Sequence, residues 1–182
     1  MTKSQYKKMI EKIKQVGCIP MATAFDETSV DWTVELGCGI IKVASSDIND
    51  WFLLQKIASK KKPVIVSTGG ASLKDVDDMV KFFTNRNIPL AINHCVSNYP
   101  SEDGDIELNQ IDFFVDRYPN LVIGHSTHEY TDWSSSMHIS YAKGARTWER
   151  HVDIPYPEGH VQKEVSKYCS LPYQMDEYFK AF

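Results

Sequence analysis

Histidines lie at or just beyond the ends of two apolar, strand-like runs of this chain. His125 and His128 lie three positions apart in the stretch IGHSTHEY, and His151 follows 23 positions after His128 in the stretch WERHVDI. Two neutral imidazoles can hold a divalent metal while leaving coordination positions for water and substrate, which makes His128 and His151 candidate metal ligands. The alternative is that both are hydrogen-bonded side chains at a wet rim. His125 precedes Ser126 in its run, so we expect it on the opposite face, in a structural role.

A lysine interrupts the second apolar run. Lys42 lies within the stretch IIKVASS, and an amine in the middle of an apolar strand is costly unless it is paired. We therefore expect Lys42 to point into a polar cavity, where it holds a carboxylate or a phosphate. The alternative is a side chain that snorkels at a sheet edge. Ser45 and Asp47 follow at the end of the run, where they can bind hydroxyl groups.

Hydroxyl groups end several other runs. Ser67 and Thr68 precede two glycines, which is typical either of an anion-binding nest of backbone amides or of a plain turn. Similar positions, at or just beyond the ends of runs, are taken by Thr23, Ser97, Tyr99 and Ser126. Tyr99 either contacts substrate or caps the rim. One lysine, many hydroxyls and two histidines together indicate a polar cavity for an anionic, polyhydroxylated substrate and a metal.

Six short apolar runs must position these side chains. They cover residues 18–25, 39–45, 62–68, 88–95, 120–126 and 145–152. Helix-like segments alternate with them, including 3–16, with apolar residues at helical spacing, and a segment that we expect Ser72 to cap. Runs that are apolar throughout are typical of strands buried on both faces, and the alternation of strands with helices predicts a parallel α/β sheet.

Two α/β architectures compete for this pattern. A doubly wound sheet usually carries a glycine-rich turn after its first strand, and the sequence contains neither GxGxxG nor GxxxxGK. A (β/α) barrel needs no such turn and gathers its chemistry at the carboxyl ends of its strands. We therefore predict an α/β fold, a partial (β/α) TIM barrel with about six parallel strands and flanking helices.

Composition narrows the class of protein. The 182 residues suit one domain, and 42% hydrophobic with 24% charged residues allows a folded core. The net charge of -4 and the lack of a basic stripe argue against a nucleic-acid partner. No apolar run approaches the roughly 20 residues of a membrane helix, and the N-terminus lacks a signal-peptide core. We expect a cytoplasmic protein with reduced cysteines and no membrane partner.

Six stretches, in order, resemble the N-acetylneuraminate (sialic acid) synthase family. They are ATAFDETSVDWTVELG, IIKVASSDIND, KPVIVSTGGASLKDV, INHCVSNYPSEDGDIELNQI, IGHSTHEY and GARTWERHV. Each is a weak signal alone, but their shared order within about residues 5–153 is a strong one. Members of this family are metal-dependent barrels that condense phosphoenolpyruvate with an N-acetylmannosamine-type sugar. The resemblance thus implies a transferase of sialic acid biosynthesis that forms a nonulosonic acid.

The resemblance implies roles for residues at matching positions. His128 and His151 match the family's metal-binding pair, for which we expect Mn²⁺, with Mg²⁺ as the alternative. Lys42 and Asp47 are the implied catalytic residues. Lys42, with Ser45, matches positions that grip phosphoenolpyruvate, and Asp47 stands where the family usually has a sugar-binding glutamate. Further substrate contacts are implied for Thr23, Ser67, Ser97, Tyr99 and Ser126.

The resemblance also has limits. It begins at the helix before the family's third strand. We therefore expect a single incomplete barrel domain over residues 1–182, without the family's first two strands or its C-terminal antifreeze-like domain. Beyond residue 153 the pattern decays into a divergent tail, 154–182. An open sheet exposes two edge strands, which predicts either a homo-oligomer or a complementary N-terminal fragment as partner.

Three functions stay open at this point. The first is a sialic acid synthase-like enzyme whose small-molecule partners are phosphoenolpyruvate and an acylated amino sugar. The second is a catalytically incomplete fragment or non-catalytic binding subunit of the same family. The third is another phosphoenolpyruvate aldol-type synthase, acting on a different sugar such as an arabinose phosphate.

Overall fold

A computed structural model describes residues 1–130, 133–158 and 164–180 of the chain. These residues fall into two compact units, Met1–Ile92 and Asn93–Phe182. Of the tail predicted for 154–182, residues 159–163 and 181–182 lie outside the described residues. Within the part that is described, none of the helices combines the length and the apolar character that crossing a bilayer requires.

The first unit alternates helices with strands from its start. Its elements are α1 (Lys3–Gln15), β1 (Met21–Thr23), α2 (Glu27–Glu35), β2 (Ile40–Val43), a 3-10 turn (Ser45–Asp47), α3 (Trp51–Ser59), β3 (Val64–Ser67) and α4 (Leu73–Thr84). The strands pair in parallel, with Thr23 in register with Lys42, and Lys42 in register with Ile65. Helix α4 shows why these segments pack, because its buried residues recur at helical spacing. They are Val76, Met79, Val80 and Phe83.

Side-chain caps fix where the helices of the first unit begin. The Ser72 hydroxyl accepts a hydrogen bond from the Asp75 amide, and the Asp75 carboxylate accepts one from the Ser72 amide, so α4 begins with a complete capping box. This confirms the N-cap predicted for Ser72. The carboxylates of Asp26 and Asp50 cap α2 and α3 by accepting hydrogen bonds from the amides of Ser29 and Leu53.

The second unit continues the alternation. Its elements are β4 (Leu90–Cys95, which begins in the first unit), a 3-10 turn (Asp103–Asp105), α5 (Asn109–Arg117), β5 (Val122–Thr127), α6 (Trp133–Ala142), β6 (Thr147–Arg150) and α7 (Pro172–Lys180). Strands β5 and β6 pair in parallel, with Ser126 in register with Glu149. The sheet order is β1-β2-β3-β4-β5-β6. Six strands in chain order, with helices between them, confirm the predicted partial (β/α) barrel.

Four helices end in the same kind of turn, which shortens the predicted strands. In each, a residue with positive φ is followed by an amide that donates to a carbonyl five residues earlier, the pattern of a Schellman turn. The positive-φ residues are Gly17, Gly37, Asn87 and Gly144. The amides of Cys18 and Ile88, for example, bond the Ile13 and Phe83 carbonyls. The first residues of the runs 18–25 and 88–95 therefore belong to the C-terminal turns of the preceding helices. As a result, β1 and β4 begin later than predicted.

Gly124 in β5 lies where no side chain would fit. A Cβ atom at this position would overlap the side chains of Thr147 and Asn93, which are joined by a hydrogen bond from Thr147 Oγ1 to Asn93 Oδ1 of 2.9 Å. The absence of a side chain at Gly124 therefore leaves room for this polar pair on the sheet. Asn93 in turn contacts a residue of the candidate site described below.

Candidate functional site

Lys42 is buried on β2, at the carboxyl end of the strand. Its residue exposure is only 5%, and its Nζ donates to Ser67 Oγ at 2.8 Å and to the Val43 carbonyl at 3.0 Å. Strand β2 pairs with β1 on one side and β3 on the other. The alternative of a lysine that snorkels at a sheet edge is therefore wrong. The hydrogen bond to the Ser67 hydroxyl offsets part of the cost of burying the Lys42 amine.

The turn after β2 and the turn after β3 meet through a backbone amide. Ser45 Oγ accepts a hydrogen bond from the Gly69 amide at 2.9 Å, and Gly70 has a φ of +71°, which favours glycine. Asp47 lies in the 3-10 turn, and its Oδ2 atom is buried without a hydrogen-bond partner among the described residues. Thr23 is exposed at the end of β1. We call Lys42, Ser45 and Ser67 the lysine cluster.

His128 and His151 come together in the second unit. Their ring centroids are 5.3 Å apart, and the Tyr99 ring lies 3.9 Å from that of His128. The Tyr168 ring lies 5.2 Å from that of His151, edge-on. Because metal–nitrogen bonds are about 2.1 Å long, two imidazoles that share an ion must lie this close together. We call His128, His151, Tyr99 and Tyr168 the histidine cluster.

Hydrogen bonding fixes the tautomer of His128. Its Nδ1 lies 3.1 Å from the Val96 carbonyl, and a carbonyl oxygen only accepts, so Nδ1 carries the proton and Nε2 keeps a lone pair. Burial lowers the pKa of both His128 and His151, which favours the neutral form of each ring. A neutral imidazole held through its other nitrogen is the arrangement typical of a metal-ligating histidine.

Glu149 is a functional candidate that the sequence analysis missed. Ser126 Oγ donates to its Oε1 at 3.4 Å, and Asn93 Nδ2 donates to its Oε2 at 3.4 Å. Glu149 lies two residues before His151, and strand periodicity places such residues on one face of a sheet. That alternation was the signal in the sequence which could have identified it.

The sequence analysis also missed Tyr168. Ser97, which it did predict, is not among the residues of the histidine cluster. Tyr168 lies in the divergent tail, which the bridge between Val152 and Ser170 brings alongside the residues that follow β6. Ser97 is exposed in the loop after β4, and Tyr99, in the same loop, is 56% exposed. The predicted substrate contacts of Ser97 and Tyr99 therefore stay predictions, although Tyr99 does pack on His128.

His125 and His94 form a separate buried pair. Their rings stack with centroids 5.7 Å apart, and His94 Nε2 bonds the Ile106 carbonyl at 2.8 Å. Burial lowers the pKa of His125 to about 3. This packing agrees with the structural role predicted for His125.

The histidine cluster offers few protein ligands to a metal ion. Across residues 1–130, 133–158 and 164–180, no group of three or more histidine, cysteine, aspartate or glutamate side chains is arranged to hold an ion. The described residues therefore supply two close imidazoles, and water or substrate oxygens would have to complete a coordination shell. The metal stays a prediction.

Comparison with known proteins identifies the family. A sequence model of the NeuB family matches residues 1–166. The chain is 32% identical over 171 residues to N-acetylneuraminate-9-phosphate synthase from Drosophila melanogaster, covering 93% of this chain and 44% of that one. It is 36% identical over 123 residues to N,N'-diacetyllegionaminic acid synthase from Legionella pneumophila, covering 65% and 34% respectively.

A solved structure matches the whole chain. A Chromobacterium violaceum crystal structure, described as a spore coat polysaccharide biosynthesis protein E, superposes with a TM-score of 0.92 at 35% identity, covering 100% of this chain and 53% of that one. The chain thus spans less than half the length of the two curated relatives and about half of the crystallised protein. Family match and fold agree with the resemblance predicted from the six motifs, and the chain belongs to the NeuB family.

Proposed function

We propose that this chain carries the phosphoenolpyruvate-binding and metal-binding groups of a synthase that condenses phosphoenolpyruvate with an N-acetylmannosamine-type sugar to give a nonulosonic acid. The observation that carries the proposal is the buried amine of Lys42, held by Ser67 at the carboxyl end of its strand. In barrels of this kind the chemistry takes place at those strand ends. The expected place of action is the cytoplasm.

The lysine cluster suits a small anion with several oxygens. The Lys42 ammonium offers donors, while the hydroxyls of Ser45 and Ser67 can donate to a carboxylate or phosphate that displaces part of their present bonding. No atom lies within 4 Å of the position that a Cβ of Gly70 would take, so an oxygen can approach the backbone closely there. Charge-assisted bonds of this type are the strong ones in anion recognition.

The donor set of the histidine cluster fits a divalent ion such as Mn²⁺ or Mg²⁺. His128 and His151 would hold it, because both rings are close and His128 keeps its Nε2 lone pair free of a proton. When bound, such an ion polarises the carbonyl of the sugar aldehyde. The ring of Tyr99, packed on His128, would orient that imidazole.

The remaining chemistry falls to the chain's own side chains. Carbon 3 of phosphoenolpyruvate attacks the aldehyde carbon, water adds at carbon 2, and phosphate leaves by C–O cleavage. Lys42 and its hydroxyl partners hold the charged substrate and stabilise its negative charge. The Glu149 carboxylate, positioned by Ser126 and Asn93, can take the proton of the added water.

The sugar is the less defined substrate. The curated relatives are named for different nonulosonic acids, N-acetylneuraminate 9-phosphate in one and diacetyllegionaminic acid in the other. Asp47 is proposed as the group that binds sugar hydroxyls, because its buried Oδ2 lacks a hydrogen-bond partner in the described part of the chain. Both names give an acetylated acid as the product, and we propose an acylated amino sugar as the substrate class.

A partner chain forms part of this proposal. Strands β1 and β6 stand at the two ends of the sheet order, and edge strands offer backbone groups to another polypeptide. We propose that this polypeptide is either a second copy of the chain or a complementary N-terminal fragment. Without it, the alternative is a binding subunit that holds ligands but does not turn them over.

Calorimetric titration with phosphoenolpyruvate tests the proposal. Loss of a hydrogen bond to a charged group costs about 1.5–3 kcal/mol, so Lys42→Met should weaken binding roughly tenfold or more. Lys74→Met, which removes an exposed lysine on α4, is the matched control and should bind as the wild type does. Equal affinity of Lys42→Met and wild type would refute the assignment, provided that melting curves show both variants folded.

A phosphate-release assay separates the two candidate functions. The chain is mixed with phosphoenolpyruvate, N-acetylmannosamine and Mn²⁺, with and without a synthetic partner fragment. Release that depends on the sugar supports the synthase. Binding without release under every condition supports the binding subunit.

A further inference from the structure

The two histidines of the proposed metal site lie just beyond the paired part of their strands. The paired residues of β5 and β6 end at Arg150, and His128 and His151 are the next residues of the two segments. From there each segment bonds a different neighbour. The His128 carbonyl accepts from the Ser101 amide at 3.1 Å. The His151 carbonyl accepts from the Ser170 amide at 2.8 Å. The separation of the two imidazoles therefore depends on contacts beyond the strand pairing.

Arg150 bridges these two segments with one side chain. Its Nη2 donates to the carbonyl of Glu129, the residue after His128, at 2.7 Å. Its Nε donates to Ser170 Oγ at 2.8 Å, and the amide of the same serine holds the His151 carbonyl. A planar guanidinium presents its donors in a fixed fork, so the two contacts are set together. One side chain thereby ties the backbone beside one imidazole to the backbone beside the other.

The bridge is buried, and its charge is balanced. The side chains of Arg150 and Glu129 are 3% and 0% exposed, and Arg150 Nη1 lies 3.2 Å from Glu129 Oε2. Ser170 is also buried, and the Ser136 hydroxyl on α6 donates to Glu129 Oε1. Away from water, charge-assisted bonds of this kind are stronger than they are at a surface. The bridge is therefore a firm support for the two segments.

Arg150 acts on the backbone and not on the ion. Side chains alternate in direction along an extended chain, so Arg150 is directed away from the face that carries Glu149 and His151. Groups that orient metal ligands without touching the metal have large effects, because their mutation typically lowers metal affinity about 10- to 100-fold.

We propose that Arg150 is a positioning residue of the metal site, whose guanidinium sets the separation of the His128 and His151 imidazoles by joining the segments that follow β5 and β6. Glu129 is its counter-ion, and Ser170 is its second anchor. This role rests on the proposed metal site, because it concerns the same ion.

Mn²⁺ binding by a variant of matched stability tests this role. Glu129→Met/Arg150→Met replaces both charges with apolar side chains, a change that is often neutral for stability when a buried pair is removed. It should unfold in urea near the wild-type midpoint, yet bind Mn²⁺ about tenfold or more weakly in a titration followed by electron paramagnetic resonance. Arg146→Met, at an exposed position just before β6, is the matched control and should bind as the wild type does.

A second readout and a second variant separate positioning from folding. At saturating Mn²⁺, electron spin-echo modulation by ligand nitrogen should report two imidazoles in the wild type and fewer in the double variant. Ser170→Ala removes one anchor and leaves the ion pair in place. It should therefore stay folded and weaken Mn²⁺ binding to a smaller extent than the double variant does.

The outcomes distinguish this role from the metal site itself. If the wild type and the folded double variant bind Mn²⁺ equally tightly, with the same nitrogen modulation, Arg150 has no positioning role although the metal site stands. If the wild type binds no Mn²⁺, the metal site fails and the role of Arg150 fails with it. Should the double variant unfold, Ser170→Ala decides: weaker binding supports the bridge, and wild-type affinity overturns it.

Discussion

Breaking the buried Glu129–Arg150 ion pair from one side should cost far more than removing both partners. The side chains are 0% and 3% exposed, and Arg150 has further bonds to Ser170 and to the Glu129 carbonyl. Burial raises the pKa of Glu129, while the hydrogen bond from Ser136 and the positive charge of Arg150 act in the opposite direction. Burying these two charged groups therefore carries a desolvation cost even when they are paired. Glu129→Ala would leave the Arg150 charge buried without its counter-ion.

The size of the effect follows from measured buried pairs. Removing one partner typically costs about 3–5 kcal/mol, whereas replacing both with apolar residues is often neutral or stabilising. With a urea m-value of about 2 kcal/mol/M, a loss of about 4 kcal/mol lowers the unfolding midpoint by about 2 M. Glu129→Met/Arg150→Met should instead unfold within about 0.5 M of the wild type.

Urea denaturation followed by circular dichroism measures these midpoints. Lys74→Met is the control, because the Lys74–Asp78 pair lies at the surface with the lysine side chain 82% exposed, and such pairs contribute less than about 1 kcal/mol. If Glu129→Ala loses no more than this control, the pair is not a dry, coupled one. If the double variant loses the sum of both single losses, the desolvation argument fails.

The buried pair of histidines, a helix cap and the lysine cluster give further expectations. The folded-state pKa of His125, lowered to about 3, means that stability is present above the unfolded value near 6.5 and is lost as pH falls towards 3. His125→Phe should therefore flatten the acid limb of urea midpoints measured between about pH 4 and 7, and an unchanged limb would contradict the burial argument. Ser72→Ala should cost about 1 kcal/mol through loss of the α4 cap, lowering Tm by about 2–4 °C, whereas Ser46→Ala at an exposed position should not; equal melting of the two would exclude a capping role. Ser45→Ala, which frees the Gly69 amide, should weaken phosphoenolpyruvate binding without lowering Tm as Ser72→Ala does, and unaltered affinity would remove Ser45 from the lysine cluster.

The helices and strands could be predicted because their formation depends largely on residues that are close in sequence. Helical spacing in 3–16 and the cap at Ser72 follow from contacts within three or four residues, and both are found in the structure. Six apolar runs correctly indicated six strands. Their ends were less predictable, because Cys18 and Ile88 look like strand residues but bond back to the preceding helices.

Some residues of the candidate site could be predicted from local sequence, and others could not. Lys42 was recognisable because a lysine within an apolar strand is costly unless it is paired. In the structure its amine is buried and donates a hydrogen bond to Ser67. Glu149 is held by Asn93, 56 positions away, which no local pattern records. Tyr168 contacts His151 because the tail folds back alongside the residues that follow β6. The sequence of the tail departs from the family pattern, so it did not indicate this contact. Tertiary contacts of this kind are fixed by the fold as a whole.

A Mn²⁺ titration followed by electron paramagnetic resonance tests the central claim most directly. The free-ion signal should fall saturably as wild-type chain is added, and His128→Asn or His151→Asn should weaken binding by an order of magnitude or more. His138→Asn, at an exposed position of helix α6, is the matched control and should bind as the wild type does. Saturable binding lost in the first two variants and kept in the third is the predicted result. Unchanged binding in all three variants, or none in the wild type, would contradict the assignment of His128 and His151 as metal ligands.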